Sequence, residues 1–420
     1  MEIKIDASTF RSYLIFWSGQ LTSLLGSSIA QFVIIWWITL LTESAVYLSI
    51  ASFVGFIPQI VLSPFAGVLA DRWSRKKISG VTDFLQALAT ISLIMLFWLD
   101  IVLIWHVFVM LAIRSVFQAF HTPAVTAITP TMVPKNKLSR MNGLNSLSTG
   151  AINLVGPVAA ALLLAVWEIH QILWIDVITF AIAVIPLLIV RIPSVKKTRE
   201  QTEEKPSFSK ELAIGLRFIK STKGLMPLLF TATMLNFLLV PLSTLLPYYV
   251  RVNHLGGAED LALVSAFFGA GALGGGLLMS VTKGFKRKIV TGMIFVYIIF
   301  FGYSIIALTP TGMFWLMAIG ALIGSFSSPV FNVSMLTILQ IVVPLEMQGR
   351  VNSVLITMAT AAMPLGMIIS GPLAEYAGTS NLFLACVISG VATLTFSWLF
   401  TDVRHIEKLE ISADEVSPES

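Results

Sequence analysis

The sequence predicts an all-α membrane protein with twelve transmembrane helices arranged in two six-helix halves. Three observations support this prediction: 56% of the 420 residues are hydrophobic, only 12% are charged, and the apolar residues fall into about twelve long runs. The charged share is about half that of an ordinary soluble protein, whose exterior consists largely of Lys, Glu, Arg and Asp. Apolar side chains can form an exterior only against lipid, so the composition excludes a soluble fold.

Each apolar run is long enough to cross a bilayer as a helix, which takes roughly 20 residues. The runs cover residues 13–41, 46–70, 78–99, 101–128, 141–166 and 171–190, and then 225–250, 261–281, 289–308, 313–338, 351–374 and 382–400. Most connections are short, and the exception is the polar segment 191–223. We therefore expect an N-terminal half at 1–190, a cytoplasmic linker at 191–224, a C-terminal half at 225–402 and a cytoplasmic tail at 403–420.

Basic residues mark one side of these spans. If the N-terminus lies in the cytoplasm, 25 of the 27 Lys and Arg residues fall on cytoplasmic segments. The exceptions are Arg251, on an outer loop, and Arg114, inside the fourth span. Cytoplasmic loops of membrane proteins carry an excess of Lys and Arg, and a wrong span count would scramble this asymmetry. We therefore expect a multi-pass protein of the cell (plasma or inner) membrane with both termini in the cytoplasm.

The linker contains one amphipathic pattern. Leu212, Leu216 and Ile219 fall on one helical face, with Arg217 and Lys220 among the polar positions. This spacing predicts a helix that lies along the inner membrane surface. A disordered tether is the alternative.

A short pattern occurs once in each half: Val-Pro, an arginine six residues after the proline, and an asparagine two residues later. The residues are Val133, Pro134, Arg140 and Asn142, and then Val343, Pro344, Arg350 and Asn352. The two blocks precede spans five and eleven, which are equivalent positions in two six-span halves. Duplicated halves around a central site are a transporter architecture.

The loop after the second span carries the sharpest local motif. Residues 67–77 read Gly-Val-Leu-Ala-Asp-Arg-Trp-Ser-Arg-Lys-Lys, which resembles the loop signature of the major facilitator superfamily, with Ser74 where the family has Gly. The resemblance implies the major facilitator fold and a cytoplasmic gate that latches the two halves, since a carboxylate at a helix end can face the N-terminus of another helix. The gate residues would be Gly67, Asp71, Arg72, Arg75 and Lys76, with Arg350 at the start of span eleven. The alternative is a basic loop that only sets the topology.

Arg114 is the only basic residue inside any predicted span, about ten residues (roughly 15 Å) from the outer end of span four. A guanidinium at that depth is costly, so it should face a cavity or a carboxylate and is functional by default. Proton-driven transport also needs a carboxylate or histidine whose pKa changes between two facing states. The candidates are Asp176 in span six, Asp83 in span three and His121 in span four. Structural roles stay open for all four residues.

Two helix segments resemble further motifs of the same superfamily. Arg114 and Gln118 loosely resemble an Arg-x-x-Gln-Gly motif whose arginine takes part in proton coupling, although the glutamine is one residue late. Gly156 and Pro157, followed by three alanines, resemble the antiporter motif, which in the family is associated with export. Small residues let helices approach closely and proline bends a helix. A simple packing kink is the alternative.

The wider pattern resembles the macrolide-efflux branch of the superfamily, which also includes siderophore exporters. It comprises Arg114, Pro123, Val133, Pro134, Asn142, Gly156, Pro157, Ile175, Asp176 and Phe180. The resemblance implies a secondary active transporter that exports amphiphilic organic compounds, macrolide-like or multidrug, by proton-coupled alternating access. The alternative is an uptake permease or a lipid or siderophore transporter on the same fold.

Spans one, four, seven and ten line the central cavity in this superfamily. Its polar wall would then include Gln20, Ser27, Gln31, Gln118, Asn236, Ser243 and Asn332. A strongly anionic substrate would call for several basic groups, and a sugar site would usually show denser Asn, Gln and Trp. A small amphiphilic substrate therefore fits best.

Several other classes of protein are excluded or disfavoured. The single cysteine, Cys386, excludes an internal disulfide and a multi-cysteine metal site. No nucleophile motif, metal-ligand cluster, phosphate-binding loop or channel filter is evident, so we expect no enzyme activity, no cofactor and no metal. The partners that we expect are the substrate, protons and the lipid bilayer, with no nucleic acid, and the protein is expected to be a monomer.

Overall fold

The computed structural model describes residues 7–190, 208–282, 285, 287–403 and 406, and the side chains of these residues except 7–8, 67–72 and 208–211. The linker residues 191–207 and the tail residues 407–420 lie outside this description. The predicted fold class is confirmed, because the described residues form helices joined by short turns and contain no strand.

Thirteen α-helices are present in the described part of the chain. They are α1 (Ala7–Thr42), α2 (Ala45–Arg72), α3 (Arg75–Trp98), α4 (Ile104–Met132), α5 (Lys135–Leu164), α6 (Ile169–Ile189), α7 (Phe208–Ser221), α8 (Leu225–Tyr248), α9 (Ala258–Val281), α10 (Lys288–Leu308), α11 (Phe314–Val342), α12 (Leu345–Ala377) and α13 (Thr379–Phe400). All except α7 are long and apolar enough to cross a membrane. The twelve predicted spans therefore each coincide with one helix, and a π-helical turn, Tyr249–Asn253, extends α8.

The repeated Val-Pro pairs fix two helix boundaries. Proline disfavours the helical conformation of the residue before it. Accordingly, Val133 ends α4 with φ −102° and ψ 127°, and Val343 ends α11 with φ −95° and ψ 122°. The following helices begin directly after the prolines, at residues 135 and 345, and not at 141 and 351 as predicted. The apolar runs start later than the helices because the first turns carry polar and basic side chains.

The chain divides into two compact units, Met1–Lys197 with Pro247–Gly269, and Thr198–Leu246 with Ala270–Ser420. In the first unit α1 packs against α5 and α6, α2 packs against α4, and α3 packs against both α4 and α6. Buried aliphatic residues such as Ile34, Leu93 and Leu111 form its main core.

The second unit is held together by close helix packing at glycines. Helix α10 packs against α11 and α13, and α12 packs against α7 and α13. At Gly302 of α10, an added Cβ would lie 2.5 Å from the carbonyl oxygen of Gly320 and 2.6 Å from the backbone nitrogen of Gly324 in α11. The two backbones therefore touch, which is a common way for membrane helices to gain packing contacts.

Candidate functional site

Four side chains from four helices form one polar cluster in the first half, the Arg114–Asp176 cluster. Arg114 Nη1 forms an ion pair with Asp176 Oδ2. It also donates to Thr90 Oγ1 at 2.7 Å, and Arg114 Nη2 donates to Ser27 Oγ at 3.2 Å. Ser27 Oγ donates to Asp176 Oδ1 at 2.8 Å, and Thr90 Oγ1 donates to Asp176 Oδ2 at 2.9 Å. Both carboxylate oxygens of Asp176 therefore accept hydrogen bonds.

The cluster is almost completely withdrawn from solvent. The Asp176 side chain is 0% exposed and that of Arg114 is 14% exposed. The Arg114 Cζ also lies 5.9 Å from the ring centre of Phe180, within the range of a cation–π contact. A buried ion pair offsets its desolvation only when hydrogen bonds satisfy the remaining lone pairs and protons. Ser27 and Thr90 supply these bonds, so the pair is stable as a unit but costly to break.

Helix packing brings the cluster together. An added Cβ at Gly26 of α1 would lie 2.0 Å from Thr179 Oγ1 of α6. Thr179 is one turn beyond Asp176 and donates to the Asp176 carbonyl oxygen at 2.9 Å. A glycine at position 26 therefore allows α1 and α6 to approach until Ser27 reaches the Asp176 carboxylate.

The other two predicted proton-coupling residues form a second pair. His121 Nε2 lies 3.0 Å from Asp83 Oδ1, and the side chains are 14% and 2% exposed. This is ion-pair distance, although the Nε2–H does not meet the geometry of a hydrogen bond. Asp83 Oδ2 is buried and has no hydrogen-bond partner among the described residues. Asp83 thus contacts a histidine of α4, and not the basic loop beside it.

The predicted gate residues fall on the turn between α2 and α3. Gly67, Asp71 and Arg72 lie in the last turns of α2, and the side chains of Asp71 and Arg72 are outside the described part of the structure. Arg75 Nη1 donates to the carbonyl oxygen of Ala127 at 2.6 Å. The latch between the two halves therefore stays a prediction.

Lys76 binds the end of a helix in the same half. Its Nζ donates to the carbonyl oxygens of Leu188 and Val190 at 3.0 and 2.8 Å. These carbonyls end α6, where a cation is favourable. Lys76 thus ties α3 to α6 at the end far from Asp176.

The predicted partner of the gate loop, Arg350, lies in the second turn of α12. Its Nη1 is 3.7 Å from Met347 Sδ, and its carbonyl oxygen would be 2.7 Å from a Cβ at Gly215 of α7. The linker helix α7 therefore packs directly on the backbone at the start of α12. The exposed part of α7 carries Arg217 and Lys220 together with Leu216.

The predicted antiporter motif lies where α5 meets α1. An added Cβ at Gly156 would lie 2.2 Å from Ser28 Oγ, and Pro157 is inside α5. The glycine thus serves a close helix contact, beside Ser27 of the Arg114–Asp176 cluster. This contact agrees with either reading of the motif, packing or antiport.

The predicted cavity residues have diverse surroundings. Ser27 belongs to the Arg114–Asp176 cluster, whereas Gln20 is buried and its Nε2 has no partner among the described residues. Gln118 donates to Thr122 Oγ1 at 3.0 Å. The remaining residues are Asn236 and Ser243, which bond carbonyls of their own helix, and Gln31 and Asn332, which are exposed.

Sequence reasoning missed Thr90, which contacts both charges of the cluster. A signal was available, because Ser79, Asp83, Gln86 and Thr90 follow one another on α3 at intervals of four, three and four residues. Residues at these intervals share one helical face. All four are buried, with exposures of 0–4%, so α3 turns a polar stripe inward.

Comparisons with known proteins identify the relatives of this chain. A family model described as Major Facilitator Superfamily matches residues 16–353. Macrolide efflux protein A of Streptococcus pyogenes is 32% identical over 94% of this chain and 96% of its own length. Multidrug efflux pump Tap of Mycolicibacterium fortuitum is 25% identical over 87% of this chain and 90% of its own. A crystal structure of the nucleoside transporter NupG superposes with a TM-score of 0.71, at 13% identity, over 91% of this chain and 99% of that one.

Proposed function

Because the chain belongs to the Major Facilitator Superfamily, we propose that it is a proton-coupled exporter of amphiphilic organic compounds, macrolide-like or multidrug, working by alternating access. Support for export comes from relatives named as macrolide and multidrug efflux proteins. Gly156 and Pro157 resemble the family's antiporter motif, which adds support for export. The protein is proposed to work as a monomer in the cell membrane, with both termini in the cytoplasm.

The observation that carries the proposal is the Arg114–Asp176 cluster. A fully buried carboxylate bound to a guanidinium can exist in two states, paired when ionised and released when protonated. A proton on Asp176 removes the charge that holds Arg114 in place. Proton binding therefore becomes a change in how four helices, α1, α3, α4 and α6, are held together.

The free energy of breaking this buried ion pair is large enough to couple protonation to a conformational change. Losing one partner of a buried ion pair costs about 3–5 kcal/mol, because the other charge is left uncompensated. A shift of about 5.5 kcal/mol moves a two-state equilibrium from 1:99 to 99:1. Protonation of Asp176 is thus of the right size to change which facing state is preferred. In the exchange cycle, the outward-facing state takes up a proton as substrate leaves, and the inward-facing state releases it.

The substrate is proposed to bind beside this cluster, against the predicted wall residues Gln20, Gln31 and Gln118 of the first half. One fixed charge and several neutral polar groups suit a neutral or weakly cationic amphiphile. Apolar parts of such a molecule gain from leaving water, and a few polar contacts fix its orientation.

The test reconstitutes the purified protein in proteoliposomes loaded with radiolabelled erythromycin or ethidium. We expect an imposed pH gradient to drive efflux of at least one compound and Asp176→Asn to abolish that dependence. The matched control is Asp100→Asn in the exposed turn between α3 and α4, which should behave as the unaltered protein. Flux that is independent of the gradient would refute proton coupling. Accumulation, not extrusion, in an efflux-deficient strain would favour an uptake permease.

A further inference from the structure

We propose that Asp83 and His121 form a second proton-binding site, which exchanges protons with the Arg114–Asp176 cluster along the interface of α3 and α4. The inference rests on the proton coupling proposed above and extends it. It assigns the step by which the proton passes between the buried cluster and the inner side of the membrane.

The first support comes from the surroundings of the Asp83–His121 pair, which we call the inner pair. Asp83 is 2% exposed and His121 Nε2 lies 3.0 Å from one of its oxygens. The second oxygen, Asp83 Oδ2, has no hydrogen-bond partner among the described residues. Buried carboxylate oxygens are nearly always bonded, so this atom is an acceptor ready for a proton. An imidazole that takes up a proton at this separation forms an ion pair with the carboxylate.

The second support is the polar stripe of α3. Ser79, Asp83, Gln86 and Thr90 lie on one buried face, and Ser79 Oγ likewise has no partner in the described part of the chain. Thr90, at the far end of the stripe, touches both Arg114 and Asp176. A row of buried polar groups is costly in a membrane protein unless it serves a pathway or a site.

The third support is a matching stripe on α4. Arg114, Gln118 and His121 follow one another at intervals of four and three residues. Arg114 contacts Thr90 and His121 contacts Asp83, so the helices run antiparallel with the stripes facing. The two pairs are seven residues apart on each helix, about 10 Å at 1.5 Å per residue. Gln86 and Gln118 occupy the positions between them.

Other charged groups near Asp83 come from its own helix and the helices packed on α3. Arg75 and Lys76 begin α3 and bind carbonyls of α4 and α6. Lys77 is exposed. The remaining groups are Arg114 of α4 and Asp176 of α6, two turns away, and Asp71 and Arg72 of α2, whose side chains lie outside the described part of the structure. Among the described residues, His121 is thus the titratable group in direct contact with Asp83.

The proposed step transfers one proton from Asp176 to the inner pair and conserves charge. The O–H bond of protonated Asp176 breaks, Asp176 regains its charge and its ion pair with Arg114, and an O–H bond forms on Asp83 or an N–H bond on His121. The inner pair passes from a neutral imidazole with a carboxylate to one proton more. The proton then leaves towards Ser79 and the start of α3, which the proposed topology places on the cytoplasmic side.

The experiment separates driven transport from exchange. In proteoliposomes with radiolabelled erythromycin and ethidium as probes, Asp83→Asn should slow efflux driven by a pH gradient about tenfold or more. Equilibrium exchange of substrate, which needs no net proton movement, should stay within about twofold. His121→Gln should act in the same direction, and Asp83→Glu should restore driven efflux. Asp100→Asn again serves as the control.

A second readout needs no substrate. The pH-difference infrared spectrum of the purified protein in detergent should contain a carboxyl band that Asp83→Asn removes and that Asp100→Asn retains. Absence of an Asp83 band would overturn the inference, as would undiminished driven efflux in Asp83→Asn. Equal loss of exchange and driven efflux would show a structural role and would also overturn it. If the unaltered protein shows no gradient-driven flux, the proposed function itself fails.

Discussion

The interface of α3, α4 and α6 in the first half and that of α10, α11 and α13 in the second occupy equivalent places in the chain. Val343 lies 210 positions after Val133, and the same interval separates the first residues of α4 and α11, of α5 and α12, and of α6 and α13. The last residues of α3 and α10 are also 210 positions apart, so α3 to α6 can be compared position by position with α10 to α13.

At this interval, both charged members of the Arg114–Asp176 cluster have an uncharged counterpart. Arg114 and Asp176 correspond to Gly324 and Cys386, Thr90 corresponds to Phe300, and the inner pair, Asp83 and His121, corresponds to Met293 and Phe331. In the first half this helix interface contains ion pairs. In the second half the equivalent interface contains packed aromatic rings and helix backbones in direct contact. The comparison teaches that one helical scaffold can be held by either means.

The sharpest way to break this comparison is to remove the carboxylate. Asp176→Ala leaves the buried guanidinium of Arg114 without its partner, which should cost about 3–5 kcal/mol of stability and abolish gradient-driven efflux. Thermal unfolding in detergent, followed by tryptophan fluorescence, measures the first effect. The matched control is Cys386→Ala at the equivalent position, which should cost about 1 kcal/mol. Similar losses in both variants would mean that the halves do not differ as described.

The second half is tested through its glycine packing. Gly302→Ala places a methyl group against the backbones of Gly320 and Gly324, so it should destabilise the protein by about 1–3 kcal/mol through overpacking. Gly324→Ala should be tolerated, because its Cβ would meet only the Ile299 carbonyl oxygen, at 3.5 Å. A thiol-reactive fluorophore labels the buried Cys386 when the protein unfolds on heating, so the labelling temperature measures the stability of both variants. A larger loss in Gly324→Ala would contradict the packing that we describe.

The close approach of α1 and α6 sharpens the description of the first half. Gly26→Ala should displace Thr179 and with it the Ser27–Asp176 hydrogen bond, costing about 1–2 kcal/mol and slowing driven efflux. Adding Thr179→Ala should restore much of the loss, because it removes the clashing hydroxyl. Gly143→Ala is the control, since no heavy atom lies within 4 Å of its added Cβ. Absence of any rescue in the double variant would show that the clash is not the cause.

The smallest effect is expected at Thr90. Thr90→Val removes one hydrogen bond from each member of the ion pair but keeps the pair itself, so the cost should be about 1 kcal/mol. Driven efflux should be reduced, not lost. Thr82→Val, on the same helix, is the control, because Thr82 Oγ1 bonds only carbonyls of its own helix, at 2.8 and 2.9 Å. Equal effects of the two substitutions on efflux would show that the Thr90 hydroxyl has no specific role in the cluster.

Much of the fold could be predicted because its causes are local. Each span is an unbroken apolar run, and the Val-Pro pairs at Val133 and Val343 end helices through the conformation that proline imposes on the residue before it. Helix starts were less predictable, since the first turns of α5 and α12 carry polar side chains that belong to the helix but not to the apolar run.

The charged members of the site were predictable, but their pairing was not. The sequence by itself determined that Arg114, Asp176, Asp83 and His121 are the charged or titratable groups deep within the spans of the first half, because hydrocarbon tolerates so few of them. It did not determine which carboxylate meets which cation, or that Thr90 joins the cluster.

The tertiary structure decides these pairings and the contact of Thr90 with the cluster. Contact between Ser27 and Asp176 depends on how closely α1 and α6 approach at Gly26, and contact between Arg114 and Thr90 depends on the register of α3 against α4. Helical periodicity shows which residues share a face, whereas the partner of that face is decided by packing between segments far apart in the chain. The sequence thus determined the charges and their depth, and only the packed helices decided that they form two pairs along one interface.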